Sequence, residues 1–158
     1  MTDTLVQTDV LKGGEFLIRD TQPDDVFIPE ELNEEQLMIK QTVKDFLEQD
    51  IFPNALKIEK QEPGLVPGLL KKAADLGLLG AHMPQEFGGL ELDTNTNTVI
   101  ADVLGPAGSF IVSFAAHTGI GMLPILYFGT EEQKRKYLPG LINGELKAAY
   151  CLTEPGSG

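Results

Sequence analysis

Apolar residues recur at helical spacing in several stretches of the chain. In the stretch NEEQLMIKQTVKDFLEQDIFP, the apolar positions include Ile39, Val43, Phe46, Leu47 and Ile51. This spacing predicts a helix over residues 34–51, because side chains three and four positions apart share one face of a helix. A second stretch, PGLLKKAADLGLLG, predicts another amphipathic helix that ends at Gly77 or Gly80.

Residues 93–130 predict three further helices. One runs from Asp93 to about Leu104, and two more occupy residues 107–116 and 119–128 and are expected to be mostly buried. Residues 103–130 carry no Asp, Glu, Lys or Arg and are long enough to span a bilayer. Five glycines and two prolines interrupt this stretch, so buried helices are expected rather than a transmembrane segment.

The end of the chain changes character. GTEEQKRKYLPG predicts a short, exposed helix with Thr130 as its cap, Gln133 completing a capping box and Pro139 with Gly140 ending it. NGE then indicates a turn, and LKAAYCLT alternates like a strand. The pattern as a whole predicts a mainly α fold: an arm over residues 1–32, a helical domain over 33–144, and a first strand with a turn over 145–158.

Charge and composition limit the function. With 24 acidic and 12 basic residues the formal net charge is -12, which argues against nucleic acid or an anionic membrane as the main partner. The amino terminus has no basic start or long apolar run and does not resemble a signal peptide. The single cysteine, Cys151, suits a cytoplasmic or equivalent reducing compartment. His82 and His117 are far apart, so no metal site is predicted.

The terminal turn, TEPGSG, has the groups of a ligand site. A hydroxyl, free peptide N–H groups and two glycines allow a flat ligand to approach the backbone closely. It is not a phosphate-binding loop, because no Gly-Lys-Ser/Thr follows. An ordinary Pro-Gly turn is the plain alternative.

LTEPGSG, preceded by YFGTEEQKRKYLPGLINGELKAAYC, closely resembles the flavin-binding signature of the acyl-CoA dehydrogenase family. The resemblance extends back through HTGIGMLPI, GSF and GLLGAHMPQEFGGLELD, and covers roughly residues 30–158. The arm, GGEFLIRDTQPDDVFIPEELNEEQ, resembles the amino end of the long-chain and very-long-chain branch, whose members carry an additional carboxyl-terminal domain. The expected fold is the family's amino-terminal helical domain followed by the first strand of its β domain.

The resemblance implies an FAD enzyme that oxidises a fatty acyl-CoA to the trans-2-enoyl-CoA. In the family, the positions of Tyr150, Leu152, Thr153 and Gly158 lie against the flavin. Val112 and Ala116 stand where medium-chain members have bulky polar residues that close the acyl pocket, so two small apolar side chains favour a longer acyl chain, or simply pack in the core. The family's catalytic Glu comes from a carboxyl-terminal domain, so no catalytic residue is assigned in this chain, and Glu154 is expected to belong to the turn.

The resemblance also implies partners. Electron-transferring flavoprotein is the expected electron acceptor, and the full-length protein is expected to form a homo-oligomer. The chain alone is expected to be inactive. The alternative function is a non-catalytic helical interaction or assembly module derived from the same fold, which would bind a partner through its exposed apolar surface.

Overall fold

The structure, a computed structural model, describes residues 14–22 and 28–157. Contacts divide the chain into two units, Met1–Glu34 and Glu35–Gly158. The described part of the first unit contains two short 3₁₀ turns, Glu15–Leu17 and Pro29–Glu31. The rest of the predicted arm, residues 1–13 and 23–27, lies outside the described residues.

Helices are the only regular secondary structure in the remaining described residues. Seven α-helices follow one another: α1 Glu34–Phe46, α2 Ala55–Glu59, α3 Leu65–Asp75, α4 Thr94–Leu104, α5 Ser109–Ala115, α6 Leu123–Phe128 and α7 Glu131–Ile142. Two π-helical turns, Leu47–Ile51 and Ala116–Gly121, continue α1 and α5. Three 3₁₀ turns are Phe52–Asn54, Leu78–Gly80 and Gln85–Phe87. The predicted mainly α fold is confirmed.

Two apolar clusters hold these helices together. The larger joins α1, α2, α3, α4 and α5, and at its centre the rings of Phe46 and Phe110 meet edge to face with 5.8 Å between centroids. The smaller cluster packs α7 against the 80–92 loop and the start of α6, and its buried members are Met83, Phe87, Met122, Leu138, Leu141 and Ile142. The larger cluster also encloses a buried hydrogen bond, 3.2 Å from Gln36 Nε2 to Thr96 Oγ1.

The predicted helix ends are fixed by a side-chain cap and by a glycine in the left-handed conformation. The Asp93 carboxylate accepts a 2.7 Å hydrogen bond from the N–H of Thr96 and so caps α4. Gly77, at φ +77°, follows α3 in the left-handed conformation, where glycine has no steric cost. The expectation that a glycine here ends the helix is therefore confirmed, and so is a helical chain from residue 34 to 51.

Helix α7 is longer than the sequence predicts. Its capping box is present: the Thr130 hydroxyl accepts from the N–H of Gln133, and the Gln133 side chain accepts from the N–H of Thr130. Pro139 does not end the helix, which continues to Ile142, because burial of Leu138 and Leu141 holds the last turn on the smaller cluster. The predicted stop lies instead at the Asn143–Gly144 turn, where Gly144 has φ +73°.

The apolar run Ser109–Phe128 is much more exposed than expected. Val112, Tyr127 and Phe128 are 68%, 67% and 87% exposed. By length and composition alone this 20-residue helical run could cross a membrane, as many core helices of soluble proteins could, and 28% of its most apolar window is buried. The prediction of mostly buried helices is wrong here, because the described residues form only one layer against this run and leave its other face uncovered.

The predicted strand over LKAAYCLT is not formed in the described structure. The described residues contain no sheet, and beyond Ile142 the one ladder-type contact is an isolated antiparallel bridge between Glu154 and Ser157. A strand depends on backbone hydrogen bonds to a neighbour, and no other described segment runs beside this one as a strand. The alternation of side chains is present in the sequence, but the pairing that would turn it into a strand is not.

The Gly-Gly pair in the 80–92 loop is required by close backbone packing. The loop folds back on itself: the N–H groups of Leu90 and Glu91 donate to the carbonyls of Gly80 and Met83, both at 2.9 Å. Gly88 has φ +94°, and a Cβ on Gly89 would lie 2.0 Å from the Met83 carbonyl oxygen. A side chain at Gly89 would displace the backbone that carries Met83 into the smaller cluster, whereas one at Gly88 would be strained by its left-handed conformation.

We expect Gly89→Ala to destabilise the chain by about 1–3 kcal/mol or more, since the added methyl overlaps backbone atoms that cannot move independently. Urea unfolding followed by far-ultraviolet circular dichroism measures the change. Gly68→Ala is the matched control. Gly68 lies inside α3 with nothing within 4 Å of its built Cβ, so the same substitution there should stabilise by about 0.5–1 kcal/mol. Equal effects at both positions would contradict the packing account.

Candidate functional site

The segment that follows α7 leaves the helical domain through a fixed turn. The Asn143 side-chain oxygen accepts from the N–H of Glu145 at 2.9 Å, and the N–H of Leu146 donates to the Gly140 carbonyl at 2.8 Å. The Lys147 ammonium also donates to the Gly144 carbonyl. The predicted NGE turn is thus confirmed, and it leads into residues 147–153, the extended segment, which form neither a helix nor a sheet.

His117 attaches this extended segment to the helical domain. It lies in the π-helical turn after α5 and is 0% exposed. Its Nε2 is 2.9 Å from the carbonyl oxygen of Leu141, and its Nδ1 is 3.0 Å from the backbone nitrogen of Ala148. One ring therefore bonds both the end of α7 and the segment that follows it.

The two partners determine the state of the imidazole. A carbonyl oxygen can only accept, so Nε2 carries the hydrogen, and a peptide N–H can only donate, so Nδ1 presents its lone pair. Burial lowers the pKa of His117 below its ordinary value of 6.5, the hydrogen bond to Leu141 raises it, and the charge of Lys147 lowers it further. The ring is thus held neutral and in a single tautomer.

The predicted flavin-contacting residues lie on the exposed part of the extended segment. Tyr150 and Leu152 are 55% and 69% exposed, and Thr153 is also exposed. Within the described part of the chain, the peptide groups of residues 149–153 form no backbone hydrogen bonds. Residues 154–157 form a tight turn in which Glu154 and Ser157 exchange two 3.1 Å hydrogen bonds. Gly158 lies outside the described residues.

The predicted acyl-pocket residues lie on the helical run that also carries His117. Val112 and Ala116 are one helical turn apart and share a face; Val112 is exposed and Ala116 half-buried. Ala116 directly precedes His117. The helix assigned to the acyl chain and the segment assigned to the flavin are therefore joined by a hydrogen bond through His117.

Other reactive groups do not form a second site. Among residues 14–22 and 28–157, no group of three or more His, Cys, Asp or Glu side chains is arranged to hold a metal ion. Cys151 is a free, exposed thiol in the extended segment. His82 is half-buried with no hydrogen-bond partner for its Nε2 among the described residues, and burial lowers its pKa.

Sequence reasoning missed the role of His117. The separation of the two histidines in the sequence argued only against a metal site, and nothing in the spacing indicates that residue 117 contacts residues 141 and 148. The available signal is that His117 is the only ionisable side chain except Tyr127 in the otherwise uncharged stretch 103–130. A polar ring in such a stretch needs hydrogen-bond partners, but the sequence does not identify them.

Comparisons with known proteins agree with this architecture. A model of the acyl-CoA dehydrogenase N-terminal domain matches residues 33–145. A probable acyl-CoA dehydrogenase of Bacillus subtilis (strain 168) is 53% identical over 150 residues, which are 95% of this chain and 25% of that protein. Another from the same organism, the probable acyl-CoA dehydrogenase YngJ, is 39% identical over 130 residues, 81% of this chain and 34% of that one.

A solved structure shows the same fold. The crystal structure of an acyl-CoA dehydrogenase complexed with FAD from Bacillus anthracis superposes with a TM-score of 0.85 at 48% identity, covering 94% of this chain and 25% of that chain. This chain thus spans between a quarter and a third of the relatives it matches. Their names specify no acyl length and give no support to the predicted long-chain branch. These matches place this chain in the acyl-CoA dehydrogenase family, and its residues 33–145 correspond to the family's N-terminal domain.

Proposed function

We propose that this chain is the amino-terminal part of an FAD-dependent dehydrogenase that converts a fatty acyl-CoA into its trans-2-enoyl-CoA. The observation that carries the proposal is the pairing at His117: an exposed apolar helix face and an extended segment with unbonded peptide groups are fastened to the same ring. The first suits a hydrocarbon chain and the second suits a planar polar ring system. A reaction between an acyl chain and a flavin needs both at once.

The residues of the extended segment fit a flavin. Peptide groups 149–153 are unbonded within the described residues, so they are available to the polar edge of an isoalloxazine ring. Tyr150 and Leu152 offer exposed apolar surface, and Thr153 adds a hydroxyl. When bound, the flavin accepts the hydride that leaves the β carbon, and this chain's contribution is to bind and orient it.

The proton-abstracting base is proposed to come from outside these 158 residues. Glu154 is the carboxylate nearest in sequence to the flavin segment, but its backbone closes the turn with Ser157 and its side chain is exposed. An exposed carboxylate in water is poorly suited to removing a weakly acidic α proton, which calls for a base in a dry site. The chain alone is therefore proposed to be inactive.

The acyl-binding face is proposed to favour longer chains. Val112 and Ala116 are small and apolar, so they leave room along the helix face and offer no polar group that would need to be desolvated. Each additional buried methylene of the substrate contributes about 0.8 kcal/mol. Longer acyl chains then bind more tightly until they extend beyond this acyl-binding face.

Relative length supports the larger size class of the family. The 150 residues shared with the first B. subtilis protein are 25% of it, whereas the 130 residues shared with YngJ are 34%. The first relative is thus considerably longer, and its match also extends over more of this chain. We propose on this basis that the chain comes from an enzyme of the branch with an additional carboxyl-terminal domain.

The remaining partners follow from the same proposal. Electron-transferring flavoprotein is the proposed electron acceptor, the whole protein is proposed to be a homo-oligomer, and a cytoplasmic or equivalent reducing compartment suits its free thiol. Nucleic acid is not a proposed partner, because the net charge of -12 opposes phosphate binding.

A second candidate function is a non-catalytic interaction module. The uncovered face of Ser109–Phe128, with Tyr127 and Phe128 strongly exposed, is the kind of apolar surface that another protein covers. A module of this kind would bind no flavin and would associate with itself or a partner, so flavin binding separates the two functions.

We expect the whole protein containing this chain to purify with bound FAD, and its visible flavin absorbance to bleach anaerobically when a long-chain acyl-CoA is added, because hydride transfer reduces the flavin. Absorption spectroscopy checks both steps. The 158-residue chain, treated identically, is the control and should neither hold nor reduce flavin. A whole protein that binds no flavin would favour the interaction module, and a flavin that acyl-CoA leaves oxidised would contradict the proposed reaction.

We expect Ala116→Glu to shift the substrate preference of the whole enzyme towards shorter acyl chains, because a longer, charged side chain obstructs the acyl-binding face and is costly to desolvate. The measurement is kcat/KM across a series of acyl-CoA lengths. About a tenfold loss is expected for long chains, with little change for short ones. Leu56→Gln, at a 78% exposed position on α2, is the matched control and should leave the series unchanged. A uniform loss of kcat/KM at all acyl lengths would contradict the assignment of Ala116 to the acyl-binding face.

A further inference from the structure

We propose that His117 is a positioning residue that sets the flavin-binding segment against the acyl-binding helix, through the hydrogen bond from the Ala148 N–H to its Nδ1. The inference rests on the proposed function, and it assigns to this side chain the positioning of the two halves of that site. It concerns how the two halves of the site are held in register, since among the described residues no hydrogen bond joins Val112 or Ala116 to Tyr150 or Leu152.

The contact lies where it can control register. Ala148 is two residues before Tyr150 and five before Thr153, so a shift of its amide moves the whole proposed flavin segment. On the other side, His117 follows Ala116 directly. In an extended chain each residue spans about 3.3 Å, so the predicted flavin contacts begin within about 7 Å of the bonded amide.

A second contact holds the same point. Gly121, at the end of the π-helical turn, faces Ala148 so closely that a Cβ there would lie 2.3 Å from the Ala148 Cβ. Packing against Gly121 therefore keeps the segment close to the π-helical turn, and the hydrogen bond to His117 fixes its position along the turn. Among the described residues, Ala148 is the one member of 147–153 whose peptide group is hydrogen-bonded to the turn, so it anchors a segment whose residues 149–153 form no backbone hydrogen bonds.

The ring provides a directional anchor. Its Nε2–H is already engaged by the Leu141 carbonyl, which fixes the orientation of the imidazole and leaves the Nδ1 lone pair pointing at the Ala148 N–H. A protonated ring would present an N–H to an N–H and lose this bond. Lys147 is the charged group whose field acts on the ring, and His82 contacts the backbone of Thr118, the residue next to His117.

Two substitutions separate the two bonds of the ring. The side-chain oxygen of Asn stands close to the place of Nδ1, so His117→Asn keeps an acceptor for Ala148 and loses the donor to Leu141. The side-chain nitrogen of Gln stands close to the place of Nε2, so His117→Gln keeps the donor and loses the acceptor. We expect His117→Gln to weaken FAD binding by the whole enzyme about tenfold, the worth of one buried hydrogen bond, and His117→Asn to remain close to wild type.

The two His117 variants can also be compared in the absence of flavin, by following the exchange of the Ala148 amide. In the 158-residue chain, hydrogen exchange of this amide, followed by nuclear magnetic resonance, should quicken about tenfold in His117→Gln and stay slow in His117→Asn. Thr96→Val is the matched control: it removes another buried side-chain hydrogen bond, the one from Gln36, and leaves Ala148 untouched. Thr96→Val should lower the global free energy of unfolding without a selective change in the exchange rate of the Ala148 amide.

The pH dependence gives a third readout. Because burial holds the pKa of His117 below 6.5, the bond is complete above that pH, and it is lost as the pH falls through the lowered pKa. Wild-type FAD affinity should therefore decline on the acid side, and His117→Asn, which has no titrating ring, should lack this decline.

The outcomes separate this inference from the proposed function. A whole enzyme that binds no FAD ends the proposed function, but the Ala148 exchange rates still decide whether His117 positions the segment. Faster exchange in His117→Gln alone supports the inference. Equal exchange in Gln and Asn variants, or effects that only follow global stability as in Thr96→Val, would overturn it.

Discussion

A buried imidazole with two backbone partners is the constraint on which the arrangement of the site depends. His117 has no exposure and must satisfy both ring nitrogens inside the domain, and it does so with the carbonyl that ends α7 and the amide that begins the extended segment. The helix that carries His117, the end of α7 and residue 148 are thereby held to one geometry. Gly121 permits the close approach that this geometry demands.

The uncovered surfaces of the domain lie on the two elements that His117 joins. One side of Ser109–Phe128 packs into the two apolar clusters, while the other exposes Val112 and Tyr127. Residues 149–153 of the extended segment likewise form no backbone hydrogen bonds among the described residues. Exposed apolar surface costs free energy in water, and peptide groups that bond only to water remain available to another partner, so their concentration around one anchor is typical of a surface that a ligand or another part of a protein covers. Membership of the acyl-CoA dehydrogenase family agrees with such a domain.

Much of the fold follows from local sequence signals. Asp93 and Thr130 cap the helices that follow them, Gly77 ends α3, and the NGE turn forms, because each depends on residues within a few positions of one another. The errors occur where distant residues decide. Pro139 was expected to end α7, yet burial of the last turn carries the helix past it.

The sequence by itself determined the mainly α architecture, the helix caps and the family, since these rest on periodicity, capping chemistry and ordered motifs. Only the tertiary structure decided which face of Ser109–Phe128 is covered, whether LKAAYCLT is paired, and that His117 reaches Leu141 and Ala148. The physical reason is the range of the forces involved. Helical hydrogen bonds join residues four apart, whereas burial, strand pairing and the partners of a buried ring depend on segments brought together only by folding.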